Sequence, residues 1–322
     1  MKAMIFAAGL GSRLKPLTDN LPKALVPVAG KPMLEHVILK LKAAGFNEIV
    51  INIHHLGQQI IDFLEANNNF GVQIHISDER DYLLDTGGGI KRATRFLMGN
   101  EPFLVHNVDI LSNVDLKQLY QHHAEGKALA TLLVSQRKTS RYLLFNRENK
   151  LCGWRNHATG EVKSFYPYFD PDQYNEYAFG GIHVMSPKIL DWMEEWTGKF
   201  SIIQFYLSIC ARTDIHAYPA ADLRLLDIGK PEALEEAEPV PARSSECDAC
   251  GKMSCVTPKK DTFETGPEEV KCIHYPHGTD EVYYQHATYY QVCGSCGYKS
   301  GTWTVDEGES LRYCHGWSAT KH

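Results

Sequence analysis

The chain has 322 residues, of which 43% are hydrophobic and 22% charged, and its formal net charge is −6 at pH 7. This composition is typical of a globular protein with one large core or two domains. No apolar stretch approaches the ~18 residues that a membrane span needs, and the first residues lack the features of a signal peptide, so we expect a cytoplasmic protein without a membrane partner. Acidic residues outnumber basic ones in residues 1–240 (28 against 25) and in residues 241–322 (11 against 8), which argues against nucleic acid as a partner.

Strand-like and helix-like patterns alternate through the first half of the chain. Short apolar runs predict strands at 4–8, 48–53, 72–76 and 103–109. Apolar residues at helical spacing predict helices near 34–44, 60–64 and 90–96. This alternation predicts an α/β fold, with a Rossmann-like, mostly parallel mixed sheet and helices on both faces.

Beyond Ala128 the predicted strands come closer together. They lie at 128–134, 142–145, 151–154 and 179–185, with helices after Pro187 and Ser201 and a last short strand at 225–229. The proline-rich segment that follows interrupts every pattern and indicates a linker. We therefore expect a first domain at 1–238, a linker at 239–246 and a second domain at 247–322.

The most informative stretch follows the first predicted strand. Residues 7–13 read Ala-Ala-Gly-Leu-Gly-Ser-Arg, and residues 22–28 read Pro-Lys-Ala-Leu-Val-Pro-Val. A glycine pair after a strand lets backbone amides approach a phosphate, which the Arg13 guanidinium can grip, so the pattern predicts a triphosphate cradle. The dinucleotide fingerprint would need glycine where Leu14 stands, and the Gly-Lys-Ser/Thr of the Walker pattern is absent.

These motifs resemble the sugar-1-phosphate nucleotidyltransferase superfamily, whose signature is Gly-x-Gly-x-Arg followed by Pro-Lys-x-Leu-x-Pro-Val. Residues 84–90, Leu-Asp-Thr-Gly-Gly-Gly-Ile, are similar to a loop of its N-acetylmuramate-1-phosphate uridylyltransferases, which neighbour the mannose-1-phosphate guanylyltransferase-like proteins. The resemblance covers residues 1–240. It implies the nucleotide-diphospho-sugar transferase type of fold and a nucleoside triphosphate and a sugar 1-phosphate as partners.

The resemblance implies that an oxygen of the sugar phosphate attacks the α-phosphorus of the nucleoside triphosphate. This reaction brings several anions together, so its catalysis must rest on charge neutralisation and positioning. The resemblance assigns Arg13 to the β- and γ-phosphates and Lys23 to the α-phosphate. It assigns Asp109 and Asp227 to Mg²⁺, a cation that prefers oxygen ligands. Asp109 as a helix N-cap and Asp227 as a turn former remain alternatives. Val108 stands where the family usually has glycine.

The resemblance also assigns residues to the two substrates. Gly88 and Gly89 can alternatively be only a helix entry. Lys163 can equally well be a solvated lysine, because the proline of the family's Glu-Lys-Pro is missing here. The implied nucleotide-binding residues are Ala8, Gly9, Gly11, Ser12, Arg13, Lys23, Asp85, Thr86, Gly87 and Gly88. The implied sugar-phosphate-binding residues are Asn107, Lys163, Gly180 and Gly181.

Seven of the nine cysteines lie in the last 82 residues. Cys247 and Cys250 form one Cys-x-x-Cys-Gly motif, and Cys293 and Cys296 form another. In a cytoplasmic chain such a pair predicts a four-cysteine structural Zn²⁺ site in a small zinc-ribbon-like β domain. A second metal site and buried free thiols are both open for Cys255, Cys272 and Cys314. The aromatic residues of this tail either pack over the ribbon or bind a protein partner.

The sequence thus predicts a Mg²⁺-dependent nucleotidyltransferase that makes a nucleoside diphosphate sugar for cell-wall or polysaccharide synthesis, with a UDP-sugar and an N-acetylmuramate-1-phosphate-like acceptor favoured. Guanylyl transfer to mannose or heptose 1-phosphate and cytidylyl transfer to phosphocholine are alternatives. An alternative of another class is a catalytically silent nucleotide-sugar sensor or assembly subunit. The four charged residues Arg13, Lys23, Asp109 and Asp227 argue against this last reading, since a silent protein could lose any of them.

Overall fold

The computed structural model describes residues 1–220 and 222–229, together with the backbone of the segments 245–246, 253–254, 256–271, 279–293 and 299–314. The chain divides into two compact units, Met1–Glu236 and Ala237–His322. Within the described residues, no helix is both long and apolar enough to cross a membrane. Most of the predicted linker, residues 239–244, lies outside the described part of the chain.

The first unit alternates strands and helices along most of its length. Its strands are β1 (Lys2–Phe6), β2 (Pro27–Val28), β3 (Lys31–Pro32), β4 (Glu48–Ile53), β5 (Gln73–Asp78), β6 (Phe103–Asn107), β7 (Ile110–Ser112), β8 (Ala130–Ser135), β9 (Arg141–Phe145), β10 (Leu151–Asn156), β11 (Glu161–Lys163), β12 (Asn175–Met185), β13 (Ile215–Pro219) and β14 (Leu225–Asp227). Its α-helices are α1 (Met33–Ala43), α2 (Gly57–Ala66), α3 (Asp85–Arg92), α4 (Thr94–Leu97), α5 (Leu116–Glu125) and α6 (Ile202–Ile209). Short 3₁₀ helices span Ser12–Leu14, Lys23–Leu25, Asn68–Gly71, Pro171–Gln173 and Pro187–Met193.

Ten strands form one mixed sheet. Its central path runs β11-β10-β9-β12-β6-β1-β4-β5, and β8 joins β12 to β13. Strands β6, β1, β4 and β5 are mutually parallel, whereas β12 runs antiparallel to β6. The chain passes from β1 to β4 and β5 on one side and then returns to β6 on the other side of β1. This reversal creates a topological switch point at the carboxyl ends of β1 and β6, where open α/β sheets bind ligands.

The predicted α/β class is confirmed, and local patterns account for much of it. The apolar residues of α1 at positions 34, 37, 38 and 41 are almost fully buried, as their helical spacing predicts. The predicted strand at 48–53 coincides with β4, whose last five residues are buried because helices cover the parallel sheet. Helix α6 begins after Ser201, whose hydroxyl accepts a hydrogen bond from the Ile203 amide.

The second unit contains an antiparallel sheet of β17 (Val256–Lys271), β18 (Thr279–Cys293) and β19 (Lys299–Cys314), in the order β17-β18-β19. A separate pair is formed by β15 (Ser245–Glu246) and β16 (Met253–Ser254). Three of the predicted zinc ligands, Cys247, Cys250 and Cys296, lie outside the described residues, and only the backbone of Cys293 is described. The zinc site therefore stays a prediction.

Candidate active site

A cleft of about 310 Å³ opens at the switch point between β1 and β6. Residues from the ends of β1, β4, β5 and β6 meet there, because β1 pairs in parallel with both β4 and β6 and β4 pairs with β5. The cleft is lined by Phe6, Ala8, Gly9, Lys23, Asn52, Glu79, Leu83, Asp85, Thr86, Asn107, Val108, Asp109 and Lys199.

Lys23 and Asp109 of the cleft wall lie against Asp227 and Gly229, and we call these four residues the charged end. The Lys23 ammonium is ion-paired with the Asp109 carboxylate, and the two side chains are 12% and 14% exposed. A Cβ built on Gly229 would lie 2.7 Å from Asp109 Oδ2, 2.9 Å from Lys23 Nζ and 3.0 Å from Asp227 Oδ1. Three residues that are distant in sequence thus converge on one glycine.

Backbone pairing brings Asp227 to this point. Strand β14 pairs antiparallel with β7 so that Asp227 faces Ile110, the residue after Asp109. The Ile228 amide donates a hydrogen bond of 2.9 Å to the Asp109 carbonyl, and the Gly229 amide donates one of 3.1 Å to Asp227 Oδ1. The turn after β14 is therefore fixed against the turn after β6.

The charged end fits a hard divalent cation. The Asp109 and Asp227 carboxylates both lie within 3.0 Å of the position that a Cβ of residue 229 would take, so they are neighbours, and the Lys23 ammonium lies 2.9 Å from the same position. No cluster of three or more His, Cys, Asp or Glu side chains exists among the described residues. Mg²⁺ is commonly held by one or two carboxylates together with phosphate and water oxygens, so two carboxylates suffice.

The glycine loop after β1 is fixed mainly through its backbone. Gly11 adopts a left-handed conformation with φ of 65°, and its carbonyl accepts a hydrogen bond of 2.9 Å from Thr18 Oγ1. A Cβ at Gly11 would lie 2.7 Å from the Thr18 methyl group, so glycine is required there. Ala8 and Gly9 line the cleft, whereas Ser12 and Arg13 are exposed and do not belong to the cleft wall.

Two buried polar residues that the sequence analysis missed form what we call the framework end, Asn52 and Glu79. Asn52 Oδ1 accepts hydrogen bonds from the amides of Ala7 (2.8 Å) and Ala8 (3.3 Å). Asn52 Nδ2 donates to Glu79 Oε1 at 2.8 Å, and Glu79 Oε2 accepts from the Leu84 amide at 3.2 Å. Burial raises the pKa of Glu79 despite these bonds. Asn52 was detectable as the one polar residue within the apolar run Ile-Val-Ile-Asn-Ile of β4.

The predicted loop after Leu84 is the first turn of α3, and it contributes two of its four predicted residues, Asp85 and Thr86, to the cleft wall. Gly87 and Gly88 are buried in the first turn of α3, and both of their amides donate to the Phe200 carbonyl, at 2.9 and 3.3 Å. Gly88 therefore lies at the entry of a helix, as the alternative interpretation predicts. The segment that accepts these bonds also carries Lys199, a cleft residue that the sequence analysis missed.

The predicted sugar-phosphate residues separate into two groups. Asn107 lines the cleft. Gly181 (φ 72°) lies against Asn107, and a Cβ on this glycine would be 2.9 Å from Asn107 Nδ2. Gly180 and Gly181 fall within an irregularity of β12 between Phe179 and His183. Lys163 lies on β11 at the edge of the sheet, where it pairs with Glu161 at 3.1 Å and lies over the Trp154 ring; it is not part of the cleft wall.

Behind Asn107 lies a pair of buried histidines, His106 and His183. Burial lowers the pKa of each imidazole to about 3, so both are neutral near pH 7. His106 Nδ1 bonds the Asn107 carbonyl at 2.7 Å, and His183 Nδ1 bonds the Tyr206 hydroxyl. These contacts support β6 and β12 from within the core.

Known proteins resemble this chain in both sequence and structure. The family described as Nucleotidyl transferase matches residues 2–242. An N-acetylmuramate alpha-1-phosphate uridylyltransferase of Neisseria meningitidis serogroup B is 50% identical over 121 residues, which are 38% of this chain and 52% of that protein. One of Caulobacter vibrioides is 32% identical over 244 residues, 73% of this chain and 95% of that protein. Mannose-1-phosphate guanylyltransferase 1 of Arabidopsis thaliana is 32% identical over 60% of this chain and 52% of its own length.

Solved structures share the fold at lower identity. HddC of Yersinia pseudotuberculosis in complex with GMP-PN has a TM-score of 0.58 at 23% identity, over 73% of this chain and 97% of that chain. The inositol-1-phosphate CTP transferase of T. maritima has a TM-score of 0.57 at 17% identity, over 75% and 97%. Because the family match spans most of the chain and the Caulobacter relative is covered almost completely, the chain belongs to the nucleotidyl transferase family.

Proposed function

We propose that this chain transfers a nucleoside monophosphate from a nucleoside triphosphate to a sugar 1-phosphate, forming a nucleoside diphosphate sugar and releasing pyrophosphate. The observation that carries the proposal is the convergence of Lys23, Asp109 and Asp227 on Gly229 at the switch point. Two uridylyltransferases among the relatives support UTP and N-acetylmuramate 1-phosphate as the substrate pair.

In this reaction an oxygen of the sugar phosphate attacks the α-phosphorus of the nucleotide. A new P–O bond forms there, and the bond from the α-phosphorus to the oxygen that bridges to the β-phosphorus breaks in line with it. Pyrophosphate leaves with the electron pair, so no covalent intermediate with the protein is needed. Because all the reacting groups are anions, the chain must mainly neutralise charge and hold the two substrates in line.

Lys23 is the residue best placed to act on the α-phosphate. Its ammonium lies in the cleft wall and its charge is balanced by Asp109 in the free protein. A phosphate oxygen can take over part of this contact as negative charge shifts during the reaction. The ion pair thus keeps the ammonium in place before the nucleotide binds.

Asp109 and Asp227 would hold Mg²⁺, which supplies charge neutralisation at the phosphates when bound. Ala8, Gly9, Gly11 and Ser12 would surround part of the nucleotide, with backbone amides that follow Ala8 directed at it, because the amides of Ala7 and Ala8 already donate to Asn52 Oδ1. Arg13 is assigned to the β- and γ-phosphates on the family resemblance, from an exposed position on this loop. Asp85 and Thr86 would contact the nucleoside, and Asn107 with Gly180 and Gly181 would contact the sugar.

A second candidate is guanylyl transfer to mannose 1-phosphate, which the mannose-1-phosphate guanylyltransferases among the relatives favour. The deciding experiment tests all four nucleoside triphosphates against N-acetylmuramate, mannose, heptose and glucose 1-phosphates and phosphocholine, with pyrophosphate release as the readout. We expect release with UTP and N-acetylmuramate 1-phosphate. Binding of a nucleotide sugar without release in any combination would instead favour the silent sensor.

For the second unit we propose a structural zinc held by Cys247, Cys250, Cys293 and Cys296, on the strength of the two Cys-x-x-Cys-Gly motifs. Elemental analysis of the full chain should find about one zinc per chain. Replacing Cys247 and Cys250 by serine should release it, and a metal-free parent chain contradicts the assignment. Because metal binding would stabilise this unit, a chelator should increase hydrogen exchange in 247–322 before it does so in the first unit.

A further inference from the structure

The segment before α6 places a lysine in the wall of the cleft. Lys199 is exposed and lines the cleft, while its neighbour Phe200 is 5% exposed and belongs to the main hydrophobic core. The sequence gives no hint of this placement, because Lys199 lies far along the chain from the glycine loop and from Lys23. An exposed ammonium beside a buried anchor is suited to reach a ligand from a fixed backbone.

The backbone that follows Lys199 is bonded to Leu84 and to the first turn of α3. The Phe200 amide donates to the Leu84 carbonyl at 3.1 Å, and the Phe200 carbonyl accepts from the amides of Gly87 and Gly88. The Ile202 amide donates to Thr86 Oγ1 at 2.9 Å. These bonds hold the backbone next to Lys199 against the first turn of α3, which contributes Asp85 and Thr86 to the cleft wall.

Two glycines make this close approach feasible. A Cβ on Gly87 would lie 2.3 Å from the Phe200 ring, and one on Gly88 would lie 2.7 Å from the Gly198 carbonyl oxygen. Both distances are shorter than real Cβ contacts, so any other residue would displace the segment. Gly87 and Gly88 therefore allow the Lys199 segment to pack closely against α3. Their amides also hold this segment, because both donate hydrogen bonds to the Phe200 carbonyl.

Lys199 is one of two basic residues in the cleft wall. The acidic residues of this wall are Glu79, Asp85 and Asp109, against Lys23 and Lys199. Lys23 is paired with Asp109, whereas none of the ion pairs among the described residues includes Lys199. Both proposed substrates carry phosphate groups, and an ammonium on a flexible stem is a common phosphate ligand.

We propose that Lys199 binds a phosphate oxygen of a substrate in this cleft, and so provides the charge that the family resemblance implied for Lys163. This inference rests on the proposed function for the identity of the substrates. Lys163 is less suited to the role in this structure, because it lies outside the cleft wall and is engaged by Glu161 and Trp154. The phosphate can belong to the nucleotide or to the sugar, and the kinetic test separates these two sources.

The test compares Lys199→Ala, Lys199→Arg and Lys163→Ala with the full-length parent, using Lys188→Ala as a control at an exposed lysine outside the cleft wall. We expect Lys199→Ala to raise the KM of one substrate by about tenfold or more, the usual scale for losing one charge-assisted hydrogen bond. The arginine variant should restore most of the loss and the salt dependence of that KM. The substrate whose KM rises identifies the source of the phosphate.

Unchanged KM values for both substrates in Lys199→Ala would overturn the proposal, as would a rise in Lys163→Ala alone. Calorimetric titration with UTP and with N-acetylmuramate 1-phosphate gives a readout that does not need turnover. An inactive parent that binds one of these ligands more tightly than Lys199→Ala does would contradict the proposed function and keep the lysine assignment. If the parent is active and the Lys199→Ala variant behaves identically, the proposed function stands and the Lys199 assignment is wrong. A parent that neither reacts nor binds either ligand would overturn both proposals.

Discussion

The charged end and the framework end both consist mainly of polar residues, but they differ in the groups that their polar atoms contact. At the charged end, Lys23 and Asp109 neutralise each other at the cleft wall, in contacts that a phosphate or a cation can replace. At the framework end, Asn52 and Glu79 direct their oxygens toward amides and toward each other inside the protein. From this difference we expect the first group to take part in the reaction and the second to position the loops around it.

The largest effect should come from the carboxylates of the charged end. Asp109→Asn and Asp227→Asn keep the size of each side chain but remove the charge, so we expect turnover to fall by about 10³ or more. The Mg²⁺ concentration needed for half-maximal rate should rise in any residual activity. Unchanged circular dichroism would show that the fold persists. Activity equal to the parent at low Mg²⁺ in both variants would remove these residues from the reaction.

Lys23→Ala should have the next largest effect. Losing one preorganised charge at the α-phosphate should lower kcat by about 10²–10³, with a smaller change in KM. Steady-state kinetics for both substrates measures this split. A raised KM with parental kcat would place Lys23 in ground-state binding only.

Gly229→Ala tests whether the charged end depends on its close packing. The new methyl group would lie within 3.0 Å of all three charged side chains and must move at least one of them, so we expect kcat to fall by about 10–10². Gly126→Ala is the matched control, because its Cβ would meet only the backbone at 3.4 and 3.5 Å. Equal activity of the two variants would show that the three charged groups tolerate displacement.

Glu79→Gln addresses the framework end. Its side-chain amide can accept only one of the two hydrogen bonds that the carboxylate accepts, so one donor, of Asn52 or of Leu84, loses its partner. We expect a loss of about 1–3 kcal/mol in stability and a higher KM for the nucleotide, with kcat changed less than in Lys23→Ala. Thermal unfolding and kinetics on the same preparation measure both. A collapse of kcat with parental KM would contradict the division between the two ends.

The last prediction concerns pH and the two buried histidines of β6 and β12. The imidazoles of His106 and His183 titrate near 6.5 when unfolded and have a pKa of about 3 in the fold. Between these values the unfolded chain binds more protons, so stability is full above pH 6.5 and falls as pH drops toward 3, by about 2 kcal/mol per imidazole at pH 5. Hydrogen exchange of β6 and β12 at pH 7 and 5 measures this loss. His183→Gln should reduce the pH dependence, and an unchanged one would contradict burial as its cause.

Local sequence patterns determined much of the fold and of the charged end. Helical spacing fixed α1, the apolar run fixed β4, and the alternation of both predicted the mixed sheet. The glycine pair after β1, the acid after β6 and the acid that ends β14 were visible because carboxyl ends of strands, turns and phosphate loops each demand particular residue types nearby in sequence. Lys23, Asp109 and Asp227 were therefore visible as candidates in the amino-acid sequence, and the family resemblance supplied their roles, which stay predictions.

Only the tertiary structure decided which polar groups meet. Asn52 reaches the amides of Ala7 and Ala8 because β1 and β4 pair in parallel, and Lys199 enters the cleft because Gly87 and Gly88 admit the Phe200 segment. The same packing leaves Lys163 at a sheet edge. Hydrogen-bond and ion-pair partners more than forty residues apart depend on the register and packing of whole elements, which the periodicity of a single segment does not contain.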